Sequence, residues 1–169
     1  NIKKMSVPFV SLDLNLSELI RIIKSILYPF NKDLSKLRLE KMLEERFDGK
    51  KVCLLPSARL GFYLTLRNLF KKGDELIFSS MSFPLYIKIA KQLELKVRLV
   101  DVFNDDLNIN YTLIEKNINN NTKGIVATHL FGNPCEIEEI KKIGDKFNLK
   151  IIEDCAQSFD SYYNGKETG

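Results

Sequence analysis

The sequence ELIFSSMSFPLYIKIAKQLELKVRLV occupies residues 75–100 and decides the fold. Its two ends, residues 75–78 and 96–100, are short apolar runs that predict buried strands. Residues 83–93 between them have the length of a helix, and Pro84 stands where the first turn of a helix tolerates proline. Parallel neighbouring strands need a long connection, so this order predicts two parallel strands joined by a helical crossover.

The same alternation extends along the chain on both sides of this stretch. Further strands are predicted at residues 52–55, 124–127 and 150–153, and further helices at 58–70, 111–117 and 136–147. The predicted fold is therefore α/β, with a mainly parallel sheet and helices on both faces.

The first fifty residues carry a helical pattern instead. Ser17 is predicted to cap an apolar stripe over residues 19–27, and a second stripe covers residues 37–47. These helices could form an arm on the main body, or they could be two ordinary core helices. The domains predicted are thus a helical segment, residues 1–50, and an α/β domain, residues 51–169.

Composition favours a soluble globular protein. Of 169 residues, 44% are hydrophobic and 28% are charged, which is close to the average for globular domains. No apolar run approaches the roughly 20 residues that span a bilayer. Residues 1–16 lack the pattern of a secretory signal. We therefore expect a cytoplasmic protein with no membrane association.

Charge and cysteine content argue against several classes of function. The net charge is +4, and the lysine pairs are scattered along the chain, whereas a nucleic-acid binder concentrates them in one stripe. The three cysteines are widely spaced and imply no disulfide framework. One histidine and no Cys-x-x-Cys pair argue against a metal site. A Ser-His-Asp hydrolase would lack the Gly-x-Ser-x-Gly elbow.

Candidate site residues follow the predicted strands, because ligands of parallel sheets bind outside the carboxyl ends of the strands. Ser57 can cap the helix over residues 58–70, and the free N–H groups behind it form an anion site suited to phosphate. The alternative is a capped helix and nothing more. Neither Gly-x-x-x-x-Gly-Lys nor Gly-x-Gly-x-x-Gly occurs, which argues against a P-loop and a nicotinamide cofactor.

Asp154 emerges from the most apolar predicted strand. A buried acid is costly unless a cation meets it, and a protonated ring nitrogen would do so. Gln157 could then bond another polar atom of the same ring, and Phe83 could stack on its face. The alternatives are a loop acid that caps the next element and a core phenylalanine.

Together these segments resemble the DegT/DnrJ/EryC1/StrS family of sugar aminotransferases, which are fold type I enzymes that use pyridoxal phosphate. The resemblance covers nearly the whole chain, and its most specific motif is the last one. The matching segments are Val7-Pro8-Phe9, Ser57-Ala58, Gly73-Asp74-Glu75-Leu76, Ser80-Met81-Ser82-Phe83, residues 97–101, His129-Leu130-Phe131-Gly132 and Ile152-Glu153-Asp154-Cys155-Ala156-Gln157.

The resemblance implies a role for five residues in binding pyridoxal phosphate. Ser57 and Ala58 would hold the phosphate, Phe83 would stack on the pyridine ring, Asp154 would pair with the ring nitrogen, and Gln157 would approach the phenolic oxygen. His129 would only shape the site. Two departures from the family pattern are the absence of a glycine in residues 56–59 and Leu85-Tyr86 in place of a small Ala-Thr pair.

The resemblance also implies the activity of the whole protein. The family's Schiff-base lysine lies in a later Ser-x-x-Lys motif, so no catalytic residue is assigned here. We expect an inactive fragment with an incomplete large domain. Its parent would move an amino group from an amino acid such as glutamate onto a nucleotide-linked keto-sugar, as a homodimer. The alternatives are a sugar dehydratase, with histidine in place of the lysine, and a catalytically silent binding partner.

Overall fold

The structure, a computed structural model, describes residues 15–27 and 32–169. The chain divides into two compact units, Asn1–Leu54 and Leu55–Gly169. The family-like motif at residues 7–9 lies outside the described residues. The predicted domain boundary at residue 50 stays a prediction.

The described residues of the first unit form two helices, α1 (Leu16–Leu27) and α2 (Lys32–Arg46). The predicted cap of α1 is wrong, because Asn15 caps the helix in place of Ser17. The Asn15 side chain accepts from the backbone N–H of Glu18 at 3.0 Å, and the Glu18 carboxylate accepts from the backbone N–H of Asn15 at 2.9 Å. This reciprocal pair is a capping box, which satisfies two free donors at once.

The strand predicted at residues 52–55 is also wrong. The segment is irregular, and its N–H groups are satisfied by side chains of α2 instead of by a neighbouring strand. The N–H of Val52 donates to Glu44 at 3.4 Å, and that of Leu54 donates to Glu40 at 2.9 Å. A short apolar run does not reveal its hydrogen-bond partners, so the sequence could not exclude this arrangement.

The second unit is an α/β fold. Its elements are α3 (Ala58–Leu69), β1 (Glu75–Ser79), α4 (Pro84–Gln92), β2 (Lys96–Val100), β3 (Thr122–Thr128), α5 (Ile137–Phe147), β4 (Lys150–Asp154), β5 (Tyr162–Tyr163) and β6 (Lys166–Glu167). Strands β1 to β4 form a parallel sheet in the order β2-β1-β3-β4, and β5 pairs with β6 as an antiparallel hairpin. The helix predicted at residues 111–117 is two short 3₁₀ helices, Tyr111–Leu113 and Glu115–Asn117.

The core lies on both faces of the four-stranded sheet. Successive side chains of a strand point to opposite faces, so Leu76 and Phe78 pack with α3 and α4 while Ile77 packs with α5 and the 3₁₀ segment. All three side chains are fully buried. Both faces of β1 are covered, which is why the whole strand is apolar apart from its ends. The predicted fold, a mainly parallel sheet with helices on both faces, is confirmed.

Parallel pairing brings the carboxyl ends of the strands to one edge of the sheet. Strands β3 and β4 run in register from Gly124 opposite Lys150 to Thr128 opposite Asp154. The loops after β1, β3 and β4 therefore leave the sheet side by side. In the described part of the chain, no helix is long and apolar enough to cross a membrane.

Candidate functional site

A cavity of about 690 Å³ opens at the carboxyl edge of the sheet. Its walls come from the start of α3, the loop after β1 with the start of α4, and the loops after β3 and β4. The lining residues are Ser57, Ala58, Arg59, Ser80, Met81, Ser82, Phe83, Pro84, Tyr86, Thr128, Leu130, Phe131, Asp154, Ala156 and Gln157. The structure thus brings together the five residues selected from the sequence, Ser57, Ala58, Phe83, Asp154 and Gln157.

The start of α3 forms one wall of the cavity. Ser57 is the N-cap in an extended conformation, and its Oγ accepts from the N–H of Leu60 at 3.2 Å. The N–H of Gly61 donates to the Ser57 carbonyl at 3.1 Å. The N–H groups of Ala58 and Arg59 have no acceptor inside the helix, because the first residues of a helix lack one. This end of α3 offers free donors and the positive end of the helix dipole to an anion.

An aromatic group forms a second wall. The Phe83 ring is 55% exposed. It meets the Tyr86 ring edge-to-face at a centroid distance of 5.6 Å, and Tyr86 stacks on Phe62 at 4.2 Å. Burial raises the pKa of the Tyr86 hydroxyl, and the nearby Asp154 carboxylate raises it further. Tyr86 thus anchors Phe83 to the core, while Phe83 keeps surface available for a ligand.

Asp154 is the last residue of β4 and lines the cavity. Burial raises the pKa of this carboxyl above its ordinary value, against the lowering effect of the Ala156 N–H. The Ala156 N–H donates to Asp154 Oδ1 at 3.1 Å. A carboxyl group whose charge is penalised by burial gains most from a cation placed beside it. The site is electrostatically prepared for a positively charged group at Asp154.

Gln157 follows on the same loop. Its side-chain oxygen accepts from the N–H of Phe131 at 3.0 Å, which ties the loop after β4 to the loop after β3. Because the oxygen is engaged, the amide nitrogen is the group of Gln157 that can donate to a ligand.

His129 lies behind the cavity wall and is fully buried. Its Nδ1 accepts from the N–H of Cys135 at 3.0 Å, so Nε2 carries the proton of the neutral ring and lies 3.5 Å from Glu153 Oε2. Lys141 contacts the other oxygen of Glu153 at 2.8 Å. Burial raises the pKa of Glu153, but hydrogen bonds from His129 and Lys141 outweigh it and lower the pKa to about 2.

These contacts make His129 and Glu153 a support for the loops that line the cavity. The atoms of His129, Glu153 and Cys155 that could ligate a metal ion lie within 4.8 Å of one another. Nδ1 of His129 and both oxygens of Glu153 are, however, engaged by protein groups.

The lining residues that were not assigned a role from the sequence include Arg59, Ser82 and Thr128. The hydroxyl groups of Ser82 and Thr128 are buried and have no hydrogen-bond partner among the described residues. Buried polar groups are nearly always paired, so these two hydroxyls indicate a group that the protein alone does not supply. The sequence indicated Ser82 and Thr128 only through their place in the segments that follow two predicted strands.

The chain is similar in sequence to two sugar-modifying enzymes. A GDP-perosamine synthase of Escherichia coli O157:H7 is 36% identical over 98 residues, which are 58% of this chain and 27% of the relative. A dTDP-3-amino-3,6-dideoxy-alpha-D-galactopyranose transaminase of Aneurinibacillus thermoaerophilus is 39% identical over 97 residues, which are 57% of this chain and 27% of that enzyme. The matched residues thus span about a quarter of the length of these two relatives.

Solved structures agree. A GDP-4-keto-6-deoxymannose-3-dehydratase with a trapped PLP-glutamate geminal diamine superposes with a TM-score of 0.83 at 25% identity, covering 97% of this chain and 45% of that one. An aminotransferase from Psychrobacter cryohalolentis superposes with a TM-score of 0.79 at 27% identity, covering 92% and 40%. The model of the DegT/DnrJ/EryC1/StrS aminotransferase family, whose members depend on pyridoxal phosphate, matches residues 31–169. The chain belongs to the DegT/DnrJ/EryC1/StrS aminotransferase family.

Proposed function

We propose that this chain forms the pyridoxal-phosphate site of an aminotransferase that acts on a nucleotide-linked keto-sugar. One observation carries the proposal. A single cavity combines a helix N-terminus, an exposed aromatic ring and a carboxylate shielded from water. Pyridoxal phosphate presents the three matching groups, namely a phosphate, a flat ring and a ring nitrogen that can be protonated. The buried, unpartnered hydroxyls of Ser82 and Thr128 fit a ligand with further polar atoms.

Each of the five selected residues has a role in this proposal. Ser57 caps α3, so that the free N–H groups of the first turn of this helix, including that of Ala58, face the phosphate. Phe83 covers one face of the ring. Asp154 holds a proton on the ring nitrogen, and the Gln157 amide donates to the phenolic oxygen. The cofactor, when bound, supplies an electron sink, which a protonated ring nitrogen strengthens.

The names of the relatives support the proposed substrate class. Both curated relatives reported above are named as enzymes of amino-sugar formation, one on a GDP-sugar and one on a dTDP-sugar. We infer that the whole protein transfers an amino group from an amino acid such as glutamate to a sugar of this kind. We also infer that it works as a cytoplasmic homodimer in polysaccharide or secondary-metabolite synthesis. The Schiff-base lysine would lie outside the 169 residues, so this stretch alone would not transaminate.

A dehydratase is the second candidate, because the dehydratase structure superposes with a TM-score of 0.83. The two activities are separated by their products. Protein from the complete reading frame, given glutamate and a keto-sugar nucleotide, should yield an amino sugar with 2-oxoglutarate. Loss of a sugar hydroxyl without amine formation would replace the proposal by dehydration, and no turnover with any substrate of this class would favour a silent binding protein.

Ligand binding tests the site itself. Pyridoxine 5′-phosphate is the suitable probe, because it lacks the aldehyde that would react with surface lysines. We expect Asp154→Asn to weaken its binding about tenfold or more in equilibrium dialysis, since the charged partner of the ring nitrogen is lost. Asp105→Asn, at an exposed position outside the cavity, is the matched control and should bind like wild type.

A thermal melt completes this test. Because burial penalises the charge of Asp154, the neutral amide should not lower the Tm of the unliganded protein. Weaker binding at an unchanged or raised Tm is the expected pair of results. Undiminished binding by Asp154→Asn would show that the ring nitrogen is held elsewhere.

A further inference from the structure

Arg59 has a charge of the wrong sign for its place in α3. It is the second residue of the helix, where the dipole is positive and a cation is unfavourable. The first turn contains no acidic side chain that would offset this charge. Among the described residues, no ion pair to Arg59 is formed. A cation held at the positive end of a helix, on the wall of a cavity, points to an anion that both of them bind.

Two further groups on the cavity wall support an anionic ligand. Ser82 and Thr128 are 7% and 4% exposed, and their hydroxyl groups have no partner within the described residues. Both residues line the same cavity as Arg59. A hydroxyl can donate to a phosphate oxygen, so both groups are compatible with an anionic ligand in this cavity.

The charges in the cavity are also separated. Arg59 and Asp154 both line it, yet they do not form an ion pair with each other. A cavity with an unpaired cation on one wall and a carboxylate on another suits a ligand that is anionic at one end and cationic at the other. The ligand of the proposed function has this distribution, with a phosphate at one end and a protonated ring nitrogen at the other.

We propose that the Arg59 guanidinium binds the phosphate of the pyridoxal-phosphate ligand, beside the free N–H groups of α3. This inference rests on the proposed function. A guanidinium donates two parallel N–H bonds to a phosphate, and such charge-assisted bonds are stronger than neutral ones. The proposal accounts for the chain's departure from the family pattern. Residues 56–59 contain no glycine, and the arginine adds charge to a cradle otherwise made of backbone donors.

The test compares two probes that differ only in the phosphate. Binding of pyridoxine 5′-phosphate and of pyridoxine is measured by equilibrium dialysis for wild type, Arg59→Ala, Arg59→Lys and Arg67→Ala. Arg67 is the matched control, because it is an exposed arginine in the last turn of the same helix and lies outside the cavity. We expect Arg59→Ala to weaken binding of the phosphorylated probe about 10- to 100-fold. Binding of pyridoxine should change less than about twofold, because it lacks the charged partner.

The variants give two further readouts. Arg59→Lys should lie between wild type and Arg59→Ala, since it keeps the charge but loses the two-pronged geometry. The Tm of unliganded Arg59→Ala should be unchanged or higher, because an unfavourable charge leaves the start of α3. The stabilisation that the phosphorylated probe gives should shrink in the same variant.

Four outcomes would overturn the inference. Equal binding of the phosphorylated probe by Arg59→Ala and wild type would leave the proposed function standing without Arg59. An equal loss of both probes, or a loss shared by Arg67→Ala, would show a structural effect or an effect of overall charge. Failure of the wild-type protein to bind either probe would remove the proposed function and this inference together.

Discussion

Glu153 and Asp154 are adjacent acids at the end of β4 with opposite electrostatics. Glu153 receives hydrogen bonds from His129 and Lys141, which lower its pKa to about 2 in spite of burial. Asp154 receives one backbone N–H and faces the cavity, and burial raises its pKa. Alternation along the strand explains the difference, because successive side chains point to opposite sides. Glu153 therefore supports the loops around the cavity, and Asp154 remains available to a ligand.

Substitution of Glu153 tests this division through the pH dependence of stability. The folded pKa of about 2 lies below the ordinary glutamate value of 4.5, so the group stabilises the fold above pH 4.5 and loses this effect as the pH falls towards 2. We expect Glu153→Gln to lower the free energy of unfolding by about 1–3 kcal/mol at pH 7. Between pH 4.5 and 2 its stability should fall less steeply than that of wild type.

Urea unfolding from pH 7 to pH 2 measures both effects. Glu45→Gln, which removes an exposed carboxylate from α2, is the control and should follow wild type within about 0.5 kcal/mol. If Glu153→Gln lost stability in acid as steeply as wild type, the hydrogen bonds to His129 and Lys141 would not govern the charge of Glu153.

Single residues of the site were predictable where their position next to a predicted strand or helix indicated their role. Asp154 and Gln157 follow an apolar strand, and Ser57 precedes a helix, so parallel topology alone brings them to one edge. The unfavourable charge of Arg59 and the unpaired hydroxyl of Thr128 were not readable. Each depends on which partners are missing in three dimensions, and a sequence does not display missing partners.

At the scale of elements, one glycine allows the end of α3 to pack closely against β3. Gly124 lies in β3, where an added Cβ would come within 2.6 Å of the Phe70 ring at the end of α3 and 3.0 Å of Leu76. A methyl group fits there only if the buried ring moves. The absence of a side chain at residue 124 therefore sets how closely the end of α3 approaches the sheet.

This close approach predicts the effect of enlarging the glycine. We expect Gly124→Ala to destabilise the protein by about 1–3 kcal/mol, as for other overpacked cores. Gly61→Ala is the matched control, because Gly61 lies inside α3 and an added Cβ would meet Leu55 at an ordinary distance of 3.5 Å. Alanine favours a helix over glycine, so this variant should be more stable by about 0.5–1 kcal/mol. Denaturant unfolding measures both variants. The double variant Gly124→Ala/Phe70→Leu should recover part of the loss, and no recovery would show that Phe70 is not the obstacle.

The repeated pattern of strands and helices predicted most elements of the fold, but two segments that belong to the pattern form other structures. The strand at residues 75–78 was recognisable because a helix and a second strand follow it, and it forms β1. Residues 52–55 have the same apolar character and are also followed by a helix and a strand, yet the N–H groups of Val52 and Leu54 bond to Glu44 and Glu40. The pattern alone therefore did not show that this segment lacks a neighbouring strand. Residues 111–117 form two 3₁₀ helices, since the Asn110 side chain accepts from the Thr112 N–H and tightens the first turn.

At the scale of the whole molecule, apolar surface remains exposed in both units. In the first unit, α1 has no buried residue, and Ile26 and Leu27 are 74% and 67% exposed. In the second, Phe131 is 72% exposed beside the cavity. Strands β2 and β4 are the edges of the four-stranded sheet, and each pairs on one side only among residues 15–27 and 32–169. Exposed apolar patches and open strand edges both favour association between copies.

We therefore expect the 169-residue chain to self-associate, with a weight-average mass that rises with concentration in sedimentation equilibrium. The double variant Ile26→Lys/Leu27→Lys should lower this mass, because it places charge on the apolar face of α1. Ser25→Lys adds a charge to the polar face of the same helix and is the control that should leave the mass unchanged. If the double variant associates as strongly as wild type while added salt has no effect, the sheet edges are the remaining source. A wild-type chain that stays monodisperse and unfolds cooperatively at every concentration would contradict the prediction, because its exposed apolar side chains would then be compatible with a stable monomer.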